Sequence, residues 1–228
     1  MRHVAQTGST NADLLAALDA GTASHRHVLL ADHQTAGRGR LDRTWQAPSG
    51  ANLLVSIAFT RVPAVPATLT QRIGVAVVDG VRAVVPAAPV TLKWPNDVLL
   101  DGHKLAGILA QRSARTGAVV VGIGLNVGWA PDGAARLAGG VSVAGLLRAI
   151  LTSFDDLPGD CADRYRSELD TLGRDVRIDL PGDAVLAGRA VDVDAGGALV
   201  VEEPDGTVHR LSVGDVVHAT ALDPSNGG

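Results

Sequence analysis

The chain has 228 residues, 46% of them hydrophobic and 19% charged, with a formal net charge of -4. That length can bury a sizeable core, as one large domain or one with a small companion, and the composition excludes disorder, while the slight acidity argues against broad electrostatic binding to nucleic acid. One cysteine excludes an internal disulfide framework, no run approaches about 18 apolar residues, and "MRHVAQTGSTN" lacks the apolar stretch of a signal peptide, so a cytoplasmic protein without a membrane span is expected.

Residues 11–20, "NADLLAALDA", read as a helix. Leu14, Leu15 and Leu18 share a face, Ser9 or Thr10 can cap its start, and Gly21 can end it. "HVLLAD" (27–32) is a short buried strand, followed by the glycine- and arginine-rich loop "TAGRGRLDRTW" (35–45) and a strand, "ANLLVSIAF" (51–59). Residues 68–84 form an apolar helix stopped by Pro86. "PVTLKW" is extended up to Pro95, and "DVLL", Asp101-Gly102 and "KLAGILAQR" read as a hairpin that turns again into "AVVVGIGLNV" (118–127). Neighbouring hairpins predict a largely antiparallel sheet with helices on one side. Helices follow at 142–157 and 160–172. After Gly173 come short alternating strands, with turns at Pro181-Gly182, Gly196-Gly197 and Asp205-Gly206, which suggest a small barrel. The expectation is an α+β chain: a domain over 1–172, a small barrel over 173–222 and a disordered tail over 223–228.

The chain contains 18 arginines but only two lysines, Lys93 and Lys104, both within "LKWPNDVLLDGHKLAGIL". Codon bias accounts for the average and not for the placement. Arginine carries the same charge, so this segment suggests a need for compact ammonium groups. Several common sites are excluded. Neither lysine follows the glycine that a P-loop requires, "GIGLNVG" spaces its glycines wrongly for a dinucleotide fingerprint, and the histidines and lone cysteine build no metal motif.

The remaining motifs each admit two readings. In the loop, Gly37 and Gly39 permit close backbone approach while Arg38 and Arg40 supply forked donors; this suits a polyanion, or is a solvated basic loop. Trp45 is an aromatic shelf or core. In "KWPND", Lys93, Asn96 and Asp97 surround a rigid Trp94-Pro95 turn, at a site or at an ordinary strand end. Gly107 lets a flat ligand lie against the strand, or serves tight sheet packing. "GSTN" (8–11) is a helix cap, or offers hydroxyls and amides to a small polar head group.

In the order "GSTN", "QTAGRGR…W", "KWPND", "KLAGIL", "GIGLNV", these segments resemble the biotin protein ligases over nearly the whole chain. The resemblance implies a class II synthetase-like, mostly antiparallel mixed sheet with packed helices, plus a small C-terminal SH3-like barrel. It implies that biotin and ATP, with Mg²⁺, form biotinyl-5′-AMP. Biotin then passes to a lysine of a biotin carboxyl carrier protein domain of a biotin-dependent carboxylase. By the same resemblance Ser9, Thr10, Asn11, Gln34, Gly37 and Gly107 belong to the biotin site. Lys104 bridges carboxylate and phosphate, Lys93 serves the phosphates, and Arg38 and Arg40 sit on a loop that closes over both. Trp45, Asn96 and Asn126 lie towards the nucleotide, and Asp97 holds Mg²⁺ or orients the incoming amine. The chain departs from one common family form in having Leu41-Asp42 where Arg-Gly stands. Only eight residues precede Ser9, so specific DNA binding is not expected, whereas an exposed sheet edge could dock the carrier or form a homodimer. Lipoate ligation, which shares the implied fold, and ligand binding without turnover are the competing expectations.

Overall fold

The structure is a computed structural model that describes residues 1–40, 43–137, 139–180, 184–212 and 214–218. The expected tail at 223–228, the Pro181-Gly182 turn and Leu41-Asp42 lie outside the described residues.

The larger sheet has seven strands: β1 (Arg2–Thr7), β2 (Val28–Gln34), β3 (Leu53–Phe59), β4 (Val90–Lys93), β5 (Asp97–Leu100), β6 (His103–Arg112) and β7 (Val119–Leu125). Their spatial order is β1-β2-β3-β7-β6-β5-β4. Only β1 and β2 run parallel; every other neighbouring pair is antiparallel. β1 carries no apolar alternation, which is why the sequence did not announce it: "RHVAQT" is an edge strand with four exposed residues.

Helices cover both faces, not one as expected. On one face α1 (Thr10–Asp19) packs Leu14 and Leu18 against Leu29, Ala58, Ala118 and Val120. Burying each leucine contributes about 1.5–3 kcal/mol. The opposite face meets α2 (Pro66–Val84), whose Leu69, Ile73, Val77 and Val81 join Val55, Ile57, Ile108 and Ile123 in the main core. The 3.6-residue spacing puts those four side chains on one stripe of the helix. α3 (Val143–Asp156) and α4 (Ala162–Glu168) pack against α2. α4 ends earlier than the predicted 172, because Leu169 pairs with Leu92 and Asp170 N–H bonds the Leu92 carbonyl at 2.8 Å, turning the chain onto β4.

Five further strands, β8 (Asp175–Asp179), β9 (Val185–Val193), β10 (Leu199–Glu202), β11 (Val208–Leu211) and β12 (Asp215–His218), form an antiparallel sheet in the order β11-β10-β9-β8-β12. Trp94 ties it to the larger sheet, since its buried indole Nε1 donates to the Gly197 carbonyl at 3.1 Å. Arg166 ties it to α4, donating from Nη2 to the Val193 carbonyl at 2.8 Å. No helix among the described residues is long and apolar enough to cross a membrane.

Candidate active site

A cavity of about 250 Å³ opens on the α1 face of the larger sheet. Its floor is bare backbone. Gly122 and Gly124 sit two apart on β7 and so share a face, and Gly107 of β6 pairs with Gly124 across the ladder. Two of these glycines are required by neighbouring side chains. A Cβ on Gly122 would lie 2.4 Å from Asn11 Oδ1, and one on Gly124 would lie 2.6 Å from the Trp45 ring. The Trp45 ring also stands against Gly107, at 3.3 Å from a Cβ built there. The flat group on this floor is therefore the chain's own indole, whose buried Nε1 has no hydrogen-bond partner among the described residues.

Register explains how charge reaches the floor. Lys93, Asp97, Gly107 and Gly124 form one cross-strand row over β4, β5, β6 and β7. Lys104 and Gly107 are three residues apart, so strict alternation would put them on opposite faces. The ladder slips between Val98 and Leu99: Val98 pairs with Ala106, but Leu99 pairs with Lys104. Leu105 is the extra residue of a β-bulge, buried with Ala106 in the core, and the slip turns Lys104 onto the site face. Lys104 Nζ then forms an ion pair with Asp97 Oδ1 at 2.7 Å. The bulged backbone is tied down by Asn126 N–H to the Leu105 carbonyl (3.0 Å) and Ala135 N–H to the Lys104 carbonyl (2.9 Å).

The arginine loop is closed at its base. Trp45 N–H bonds the Gly37 carbonyl at 2.9 Å, Arg38 pairs with Thr44, and Gly39 N–H bonds the Arg43 carbonyl at 2.7 Å. A side chain at Gly37 would collide with the Trp45 carbonyl, at 2.3 Å from its Cβ, so this glycine serves loop closure. Arg38, Arg40 and Arg43 all line the cavity. Arg40 Nη1 donates to Asn96 Oδ1 (3.2 Å) and to the Gly214 carbonyl of the second sheet (3.4 Å). Asn96 is itself held, with Nδ2 donating to the Ile108 carbonyl and its own carbonyl accepting from Ile108 N–H, both at 2.9 Å. Among the described lining residues, Arg38, Arg40, Arg43 and Lys104 face the single carboxylate of Asp97.

One step along β7 the chemistry is uncharged. Ser9 caps α1, its Oγ accepting from Ala12 N–H at 3.5 Å. Gln34 Oε1 accepts from Thr10 N–H at 2.8 Å and lies 3.0 Å from Thr10 Oγ1. Asn11 is committed inwards, Nδ2 donating to the Leu109 carbonyl (3.1 Å) and Gln111 Oε1 (2.8 Å). Behind them Ser56 of β3, fully buried, lies 2.7 Å from Thr10 Oγ1 and 2.6 Å from Asn11 Oδ1. The cavity thus joins an uncharged hydrogen-bonding end to a cationic end, about 7 Å apart for two strand residues.

The structure brings together around this cavity Ser9, Thr10, Asn11, Gln34, Arg38 and Arg40, and with them Trp45, Asn96, Asp97, Lys104, Gly107 and Asn126. Gly37 stands at the base of the loop. Lys93 is the exception: it occupies the outer end of the cross-strand row, on edge strand β4, and lines a small separate cavity with Asn96, Asp97 and Tyr165. Asn126 meets the cavity with its amide already engaged, Nδ2 on the Ala135 carbonyl (2.9 Å) and Oδ1 near Asn52 Nδ2 (3.3 Å). Asp97 has no companion for a metal cage, since no group of three candidate ligands occurs among the described residues. Sequence reasoning missed Ser56, Asn52, Arg43, Gly122 and Gly124. The available signal was two polar residues within an otherwise apolar strand, "ANLLVSIAF", and two glycines on one face of a buried one.

Comparisons with known proteins bear on this arrangement. The family described as Biotin/lipoate A/B protein ligase matches residues 4–127, and the Biotin protein ligase C terminal domain matches residues 171–219. The biotin--[acetyl-CoA-carboxylase] ligase of Mycobacterium tuberculosis is 42% identical over 236 residues, covering 94% of this chain and 87% of that protein. The enzyme of the same name from Paracoccus denitrificans is 36% identical, covering 89% and 94%. Among solved structures, a biotin protein ligase from Aquifex aeolicus in complex with biotin and ATP has a TM-score of 0.79 at 22% identity, covering 96% of this chain and 98% of that one, a likeness of fold.

Proposed function

Since the chain belongs to the biotin/lipoate A/B protein ligase family, we propose that it is a biotin protein ligase, working through the cavity above. In the first step the biotin carboxylate attacks the α-phosphorus of ATP, the bond to the β-phosphate oxygen breaks, and pyrophosphate leaves biotinyl-5′-AMP. In the second, the neutral amine of a carrier lysine attacks the acyl carbon and AMP departs, the amine's proton passing to solvent. The carrier is a biotin carboxyl carrier domain of a biotin-dependent carboxylase.

A carboxylate needs no base to act as a nucleophile at neutral pH. Its obstacle is repulsion from the triphosphate. The observation that carries the proposal is the cationic end itself: Lys104, turned onto the floor by the bulge, with Arg38, Arg40 and Arg43 around it. Such a cluster holds two anions in line and offsets the charge that grows on the phosphate oxygens. Lys104 reaches both anions as a point charge, and Arg38 and Arg40 act as forks on the phosphates. The uncharged end, Ser9, Thr10 and Gln34, suits the ureido ring. Lys93, one strand beyond Asp97, acts on the phosphates by its field and not by contact. Mg²⁺ belongs to the ATP it accompanies, and among the described lining residues the carboxylate that could meet it is that of Asp97.

The test is a mass spectrum of a carrier domain after incubation with the protein, ATP and either biotin or lipoate. Addition of one biotinyl group is the expected result. Transfer of lipoate alone would overturn the assignment in favour of lipoate ligation. Ligand-dependent thermal stabilisation without a labelled carrier would reduce the protein to a binding module.

A further inference from the structure

We propose that Ser56, a buried residue without access to the cavity, is a positioning residue that directs the Thr10 hydroxyl as an acceptor towards the ligand. The proposal rests on the biotin reading above and adds to it the reason why a urea fits.

The argument is a count of protons. Three oxygens stand in line: Asn11 Oδ1, Ser56 Oγ at 2.6 Å from it, and Thr10 Oγ1 at 2.7 Å from Ser56. Each hydroxyl has one proton to donate and lone pairs to accept. Asn11 cannot rotate its amide to supply another, because Nδ2 is held by two acceptors, the Leu109 carbonyl and Gln111 Oε1. Asn11 Oδ1 therefore accepts, and the Ser56 proton goes to it. Ser56 Oγ is left with lone pairs facing Thr10. Gln34 Oε1, the other taker of the Thr10 proton, stands further off at 3.0 Å and already accepts the Thr10 N–H. The Thr10 proton is thus drawn to Ser56, and the lone pairs of Thr10 Oγ1 face the cavity.

The same reasoning orients the neighbours. With Oε1 of Gln34 turned to Thr10, its Nε2 is left as a donor. Ser9 Oγ accepts the Ala12 N–H and keeps its own proton for a ligand. The uncharged end then presents two donors beside one acceptor, the complement of a cyclic urea whose carbonyl is flanked by N–H groups. A buried serine in β3 decides that polarity because Ser56, at 0% exposure, is satisfied on both sides only when it donates to Asn11 Oδ1 and accepts from Thr10 Oγ1; a Thr10 proton turned to Gln34 instead would set two oxygen lone pairs against each other at 2.7 Å in a low-dielectric interior.

The test uses the full chain and direct calorimetric binding of biotin without ATP or carrier. Ser56→Ala and the volume-preserving Ser56→Cys, whose thiol is a weak donor, are compared with the parent. Both are expected to weaken biotin binding about tenfold. In turnover assays both should raise KM for biotin by the same factor, with kcat and KM for ATP unchanged. Parent-like biotin affinity in the cysteine variant would overturn the proposal, because volume and not proton direction would then be what matters. Equal losses in kcat and in KM for ATP would overturn it too, as they indicate general damage. If the parent itself binds no biotin, the failure lies with the biotin reading. Should the alanine variant not fold, the cysteine variant decides alone.

Discussion

Single side chains set what the cavity can hold. Lys104 is the ammonium nearest the floor, paired with Asp97 at 2.7 Å and partly open to solvent. Lys104→Ala is expected to lower the rate of adenylate formation by about 10²–10³, the size of effect seen when one charge-assisted contact leaves a preorganised site. Pyrophosphate release measures it, and circular dichroism should show an unchanged fold, since this side chain supports no core contact. Gly122 makes a different point. Sequence reading connects glycines near a site with close approach of a ligand, whereas Gly122 accommodates Asn11. Gly122→Ala puts a methyl 2.4 Å from Asn11 Oδ1, which is tied to Ser56 and cannot retreat cheaply. A loss of about 1–3 kcal/mol in stability is expected, with weakened biotin binding, and denaturant unfolding alongside calorimetry reads both.

At the scale of elements, what matters is how a strand end or a loop delivers its groups. The "KWPND" turn is rigid because both of its neighbours hold it. Trp94 N–H reaches Thr171 Oγ1 at 3.0 Å, Trp94 Nε1 reaches Gly197, and Asn96 exchanges hydrogen bonds with Ile108. From that turn Asn96 offers Oδ1 to Arg40. Asn96→Ala removes the Arg40 contact and one bond to Ile108, so KM for ATP is expected to rise about tenfold while KM for biotin stays put. Initial-rate kinetics in each substrate distinguish these outcomes. The β6 bulge shows the limit of periodicity. Two-residue alternation, applied from Gly107, would send Lys104 into the core. Only the pairing with β5 reveals the extra residue, and no local property of "KLAGIL" announces it. Edge strand β1 escaped notice for a related reason: its stability comes from its ladder with β2 and not from a buried face.

At the scale of the whole molecule, the second sheet is part of the site's framework. Arg40 spans from the cavity to the Gly214 carbonyl, Trp94 joins the end of β4 to the second sheet, and Arg166 joins that sheet to α4. The helical layer is fastened by Glu168, which accepts from Arg82 Nη1 and Nη2, both at 2.8 Å, and from Arg164 Nε at 3.0 Å. Burial pushes the Glu168 carboxyl up, but the bonds and charges of Arg82 and Arg164 outweigh it and hold the group below its ordinary 4.5. A depressed carboxylate contributes stability that is present above its unfolded value and lost as pH falls through its folded one. Glu168→Gln is therefore expected to cost about 2 kcal/mol at pH 7. The difference from the parent should be full above the ordinary 4.5 and shrink as pH falls from there through the depressed folded value, where the parent's carboxylate protonates. Urea unfolding of both proteins across that range provides the measurement.

Local chemistry was legible in the chain. The helix over 11–20, the hairpin turning at Asp101-Gly102 and the glycine–arginine loop follow from periodicity, turn residues and caps, because those properties act between residues close in sequence. The order of the motifs pointed to the family for the same reason: each motif is a short run with its own chemistry. Tertiary structure alone decided which of those groups meet. It put helices on both faces, turned Lys104 towards Gly107 through a slip in register, left Lys93 a strand further out, and placed Ser56 behind Thr10. The helix placement and the Ser56–Thr10 contact depend on elements tens of residues apart in sequence, whereas the slip at Lys104 and the place of Lys93 arise between neighbouring strands, where the backbone hydrogen-bond register, and not the side-chain pattern, decides which residues face each other.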